Sequence, residues 1–176
     1  VELLTGVIWA AMAWAYPLEL EGLRGAFFFT ILLGIALTDA REYIIPDEFT
    51  WGGLAIGLLF GLVGGLSTLL PALIGAVTGF AILWLIGFAG QLILKEEAMG
   101  GGDVKMMAMV GAFVGWQGVL LTIFLGALLG TIIFLPLSLL GRKKLVPFGV
   151  FLSVGAVATW VAGPAIIAWY TAYVGL

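Results

Sequence analysis

Apolar residues dominate this chain in long runs, and polar residues collect between the runs rather than inside them. Seven runs stand out: Leu3–Tyr16, Leu23–Thr38, Trp51–Leu66, Leu69–Leu94, Val104–Trp116, Val119–Leu140 and Phe148–Ala162. Charges and turn residues set their ends. Pro17 and the acidic stretch Glu19–Glu21 close the first run, Asp39 the second, Lys95-Glu96-Glu97 the fourth, Gln117-Gly118 the fifth and Arg142-Lys143-Lys144 the sixth. A membrane-crossing helix needs about 20 apolar residues, or fewer where the bilayer thins. The pattern therefore predicts an all-α polytopic membrane helix bundle of about seven transmembrane helices, with residues 1–176 as a single domain. Gly163-Pro164 is expected to stop the seventh run. The tail Ala165–Leu176 carries Trp169, Tyr170 and Tyr173 and reads as an interfacial helix, because Trp and Tyr favour the headgroup level. A short eighth span is the other reading of this tail.

Composition agrees with the pattern. Of 176 residues, 63% are hydrophobic and 10% charged, whereas a soluble domain carries about 25% charged residues. So few charges cannot cover a water-facing surface. The 27 glycines include Gly53/Gly57/Gly61 and Gly126/Gly130, a spacing that lets membrane helices approach closely. No cleavable signal peptide precedes the first run, and the opening Val1 suggests a trimmed or processed chain.

Charge sets an orientation. If the seven runs alternate, Arg41, Lys95, Lys105, Arg142, Lys143 and Lys144 fall on one side and only Arg24 on the other. The basic side is cytoplasmic, so the loops at 40–50, 95–105 and 141–147 are expected there. The net charge of −3, with seven basic residues spread along the chain, gives no reason to expect nucleic acid.

The chain has no His and no Cys. That excludes Ser-His chemistry, an HExxH zinc site and thiolate ligands, and it leaves carboxylates to carry acid–base catalysis. Two of the ten acidic residues stand out. Asp39 directly follows the apolar run FFFTILLGIALT, and Asp103 directly precedes VKMMAMVGAFVGW. An ionisable group at such a place marks a functional site by default. Both fall on the basic side, although 64 positions separate them. The 13-residue run after Asp103 is about 20 Å long as a helix, short against a bilayer of about 30 Å, which places Asp103 in a recess. Two close carboxylates do not both ionise readily, so one can take a proton from water while the other gives one to a scissile carbonyl. Asp103, at a helix N-terminus, is the one whose anion the helix dipole favours. Gly100, Gly101 and Gly102 leave room for a peptide backbone. Spacing alone leaves simpler roles open. Asp103 can cap its helix, Asp47 after Pro46 can cap the third, and Asp39 can pair with Arg41 or a lipid headgroup. Arg41 and Lys105 can attract a carboxylate or phosphate or simply anchor loops. Met106, Met107 and Met109 read as packing residues.

The residues also resemble a family. Gly100-Gly101-Gly102-Asp103 is similar to the Gly-x-Gly-Asp signature of intramembrane aspartyl proteases, and GGGDVKMMAMVGAFVGW extends the match. The stretch from Asp39 to Ile45-Pro46-Asp47 resembles the other motif of the type IV prepilin peptidases. Val146–Phe151 and Val1–Gly6 resemble further family segments. The resemblance implies an aspartic endopeptidase of the inner membrane that removes the basic leader of prepilins or pseudopilins at the cytoplasmic face. Asp39 and Asp103 take the catalytic roles by motif, without metal or cofactor. Long bacterial members also N-methylate the product and carry a cytoplasmic domain, often with CxxC pairs. With neither in this chain, methyltransferase activity and zinc are not expected. Beyond the signature glycines, Pro46, Asp47, Lys105, Glu96 and Glu97 are candidates for substrate contact, the acidic ones toward a basic leader. The substrate helix and membrane lipid are the expected partners. The competing class is a proton-coupled transporter or channel with Asp39 and Asp103 as relay carboxylates. Such sites usually lie at the bilayer midplane, often with repeat symmetry, and no repeat is evident here.

Overall fold

The computed structural model describes residues 1–95, 99–139 and 146–175. Regular structure among them is entirely helical: α1 (Glu2–Ala15), α2 (Leu20–Glu42), α3 (Asp47–Val63), α4 (Leu66–Leu94), α5 (Gly101–Leu139) and α6 (Phe148–Val174). Four helices are long and apolar enough to cross a membrane, over Leu20–Glu42, Leu66–Ile93, Gly101–Pro136 and Phe148–Val174. The expected bundle of membrane helices is present, but among the described residues only these four helices reach that length; α1 has 14 residues and α3 has 17.

The fifth and sixth runs are joined in α5, which breaks at Gly115 with φ 70° and ψ 176°. That backbone lies in the left-handed half of conformational space, which glycine enters without steric cost. The turn thus falls two residues before the expected Gln117-Gly118. The chain doubles back there. Before the break, α5 runs antiparallel to α4, with Gly79 against Met107 and Gly75 against Gly111. After it, α5 runs antiparallel to α6, with Gly118 near Thr159 and Gly126 near Leu152.

The expected stop at Gly163-Pro164 does not occur. The seventh run and the tail form one 27-residue helix with Pro164 inside it. Proline removes one ladder hydrogen bond, here the one to the Trp160 carbonyl, and an apolar continuation tolerates that loss. The interfacial tail is therefore the end of α6 rather than a separate helix.

The first part of α5 is the centre of the bundle. Met106, Met107, Met109 and Val110 are fully buried and Phe113 nearly so, which makes the methionines packing residues. Phe28, Ile31, Leu32 and Ile35 of α2 and Leu152 and Ala156 of α6 complete the core. Phe28 stacks on Phe113 at 4.6 Å between ring centroids and touches Trp160 at 5.4 Å. Glycine allows close backbone approach on two sides. A Cβ on Gly75 would land on the Gly111 carbonyl oxygen, and one on Gly111 on the Gly75 carbonyl oxygen. On α3, Gly53 and Gly57 meet Met109 and Ala112 in the same way.

This packing collects one set of helix ends. The C-terminus of α2 and the N-termini of α3, α5 and α6 meet at the same end of the bundle. At the other end, the turn at Gly115 frees carbonyls from the helical ladder. Arg24 of α2 fills part of that need. Its guanidinium donates to the Phe113 carbonyl, pairs with Glu21 at 3.2 Å and lies over the Trp160 ring at 5.2 Å.

Candidate active site

Asp39 sits in the last turn of α2 and is 5% exposed. The helix ends at Tyr43, a left-handed residue with φ 56° whose N–H donates to the Asp39 carbonyl at 3.0 Å. The chain then runs extended through Ile45 to Pro46, which has φ −63° and ψ 140°, and α3 starts. Proline suits this position because its ring presets φ and its missing N–H has no ladder partner to lose. Pro46, not Asp47, is the N-cap, and Asp47 is the first helical residue, without a capping hydrogen bond from its side chain. The Asp47 carboxylate instead accepts from the Lys105 ammonium, tying the start of α3 to the start of α5.

The short connection between α2 and α3 inserts Ile45 into the bundle. A Cβ on Gly102 would lie 2.9 Å from the Ile45 Cβ, and one on Gly149 would lie 2.8 Å from the Ile45 Cδ1. Ile45 is therefore wedged between the beginnings of α5 and α6. Gly149 also packs on Asp39, since its Cβ would fall 2.9 Å from Asp39 Oδ2. The Val150 N–H donates to that same oxygen at 3.0 Å.

Asp103 stands in the first turn of α5. It does not cap the helix, because Gly100 supplies the carbonyl that accepts from the Asp103 and Val104 N–H groups. Asp103 Oδ1 is buried with no hydrogen-bond partner among the described residues. Ile45 links the two aspartates: it packs on Gly102, the residue before Asp103, and on Gly149, which packs on Asp39. Among the described residues a backbone donor reaches the Asp39 carboxylate and none reaches Asp103 Oδ1.

The three glycines before Asp103 have different surroundings. Gly100 packs against Asp103 Oδ2, 2.9 Å from where its Cβ would be, and Gly102 packs against Ile45. Gly101 faces open space, with no atom within 4 Å of its Cβ position. The Gly-x-Gly pattern thus has a steric basis, and its variable position coincides with the open one. Gly102→Ala is expected to lower turnover by about 10- to 100-fold by displacing the start of α5 from Ile45. Gly101→Ala, which displaces no protein atom, is expected to lose less turnover than Gly102→Ala. Comparing turnover rates of the two purified variants checks this; equal losses would show that the wedge does not position α5.

Of the expected site residues, the structure brings together Asp39, Asp103, Gly100, Gly102, Pro46, Asp47 and Lys105, with Gly101 at the rim. Glu96 and Glu97 lie outside the described residues, as does Arg142–Lys144. Sequence reasoning missed Ile45, Gly149 and Val150 as individual residues. The segment Val146–Phe151 carries the signal for the last two, but nothing in its letters shows that it packs on Asp39.

Known proteins match this arrangement. The type IV leader peptidase family matches residues 26–135, a span that holds both aspartates. The prepilin leader peptidase/N-methyltransferase of Aeromonas hydrophila is 35% identical over 176 residues, covering 97% of this chain and 60% of its own length. The protein of that name from Pseudomonas aeruginosa is 35% identical over 165 residues, 92% of this chain and 56% of its own. That from Neisseria gonorrhoeae is 35% identical over 132 residues, 75% of this chain and 46% of its own. The chain thus spans about 60% or less of the length of these relatives. No solved structure matches it. The family match covers more than half of the chain, and the chain belongs to the type IV leader peptidase family.

Proposed function

We propose that this chain is a single-domain intramembrane aspartic endopeptidase that removes the leader of type IV prepilins or pseudopilins, with Asp39 and Asp103 as its catalytic pair. The observation that carries the reading is their placement at one end of the bundle, on separate helices joined through Ile45 and Gly149, in a chain without His or Cys. Asp39, held by the Val150 N–H of α6, takes a proton from water as the water oxygen bonds to the scissile carbonyl carbon. Asp103 gives its proton to the carbonyl oxygen. When the tetrahedral species collapses, the C–N bond breaks, the leaving amine takes up the proton that Asp39 received, and a hydroxyl of the tetrahedral species returns a proton to Asp103 as the new carboxyl group forms. Gly100–Gly102 border the substrate backbone. Pro46, Asp47 and Lys105 stand around the recess, and Glu96 and Glu97 add negative charge for a basic leader.

In this reading the inner membrane holds all seven apolar runs, the two parts of α5 counted separately, and the substrate helix lies beside them in lipid. The site faces the cytoplasm. Arg41, Lys95 and Lys105 lie at the aspartate end and Arg24 at the other, which supports that orientation by the positive-inside rule. A transporter is less well supported, since both aspartates sit at helix ends on one side rather than at mid-depth.

The test is incubation of the purified protein in detergent with a prepilin, read by mass. The expected product has lost the leader at one bond. An intact prepilin after long incubation with folded protein would overturn the reading. Reporters at positions 45 and 20 test the orientation: 45 is expected to read cytoplasmic and 20 external, and the reverse pattern would refute the cytoplasmic site.

A further inference from the structure

We infer that the start of α6 is the third side of the catalytic centre, with Gly149 and Val150 as positioning residues that aim the Asp39 carboxylate. This deepens the peptidase reading and rests on it. The motif helices α2 and α5 hold the two aspartates, but α2 does not itself orient the Asp39 side chain. The direct contacts to Asp39 Oδ2 come from 110 positions further along the chain. The Val150 N–H donates at 3.0 Å, and the Gly149 Cα lies so near that an added Cβ would be 2.9 Å from the oxygen and 3.1 Å from its carbon. Val150 N–H has only one other acceptor, the Pro147 carbonyl at 3.3 Å, so its stronger bond goes to the carboxylate.

The segment is built for this. Pro147 is the N-cap of α6, so the first N–H groups of the helix have no ladder partners and are free to donate to a side chain. Phe148 follows at the first helical position, and Gly149 supplies the only residue type whose side of the helix can lie flat on a carboxylate. Ile45 packs on the same face of Gly149, with its Cδ1 2.8 Å from that Cβ position. The first turn of α6 therefore holds Asp39 Oδ2, with Ile45 beside it on Gly149.

Three variants test this in a purified prepilin-cleavage assay, with melting temperature measured on each. Gly149→Ala is expected to lower kcat by about 100-fold, the cost of misplacing a catalytic group by about 1 Å, with KM unchanged. Val150→Pro removes the donor at a first-turn position that tolerates proline, and is expected to lower kcat by about tenfold or more, again without a change in KM. Gly155→Ala is the control. It lies on the same helix, and its Cβ would meet the Thr122 carbonyl oxygen at 2.7 Å, far from Asp39. It is expected to lower the melting temperature while keeping kcat. If Gly149→Ala turns over normally, or Gly155→Ala loses as much kcat at a similar melting temperature, the assignment is overturned. If Gly149→Ala does not fold, full activity of Val150→Pro overturns it alone. Asp39→Asn, run alongside, separates the two levels: cleavage by that variant refutes the aspartate pair itself, whereas its inactivity beside an active Gly149→Ala refutes only the role of α6.

Discussion

Asp39→Asn and Asp103→Asn are each expected to leave a prepilin uncut, with turnover down by about 1,000-fold or more, while the protein stays folded. Asparagine keeps the shape of aspartate and its carbonyl oxygen, so the Val150 N–H retains an acceptor at position 39. What is lost is the ability to take up or release a proton, and a single positioned acid or base contributes about 100- to 10,000-fold. The chain has no His or Cys to substitute. Of the other acidic side chains placed in this region, Asp47 is engaged with Lys105, and Glu42 and Glu48 are exposed. The measurement is single-turnover cleavage with melting temperature as the folding control. Residual activity within tenfold of the unsubstituted chain, in either folded variant, would remove that aspartate from the mechanism.

Gly75→Ala and Gly111→Ala are expected to have the largest effect on stability. Each new methyl lands on a carbonyl oxygen of the facing helix, and backbone cannot rotate away as a side chain can. The helices must separate, with a loss of about 3 kcal/mol, the upper part of the range for overpacked sites. Because the first part of α5 carries Asp103 on its next turns, activity falls as well. Gly52→Ala provides the contrast. Its Cβ meets nothing within 4 Å, and replacing a helical glycine with alanine gains about 0.5–1 kcal/mol. Thermal melting in detergent ranks the three; a Gly75→Ala protein as stable as Gly52→Ala would show that the α4–α5 contact relaxes at no cost.

Helical class and the common end of the two aspartate motifs were legible because each rests on a local signal. Charges and glycines interrupt apolar runs, and a carboxylate beside such a run is conspicuous. The break in α5 was legible to within two residues, since Gly115, Gln117 and Gly118 are all weak points and only the backbone angles select among them. Pro164 misled because proline ends helices in water more reliably than in an apolar span. The Asp47–Lys105 pair, the Ile45 wedge and the grip of α6 on Asp39 were not legible. Each joins residues far apart in the chain, and no periodicity within a run reports on which helix end meets which.

The open space over Gly101 makes the site accessible to direct observation. The 176-residue chain contains no cysteine, so Gly101→Cys would introduce a unique thiol two residues before Asp103, at a position where the side chain meets no neighbour. A fluorophore or spin label attached there would lie beside the start of α5 without displacing Ile45 or Asp103. Its mobility would report arrival of a substrate in real time, independently of cleavage, and would still do so when Asp103 is replaced by asparagine. The glycine that packing does not need is the natural attachment point for a probe.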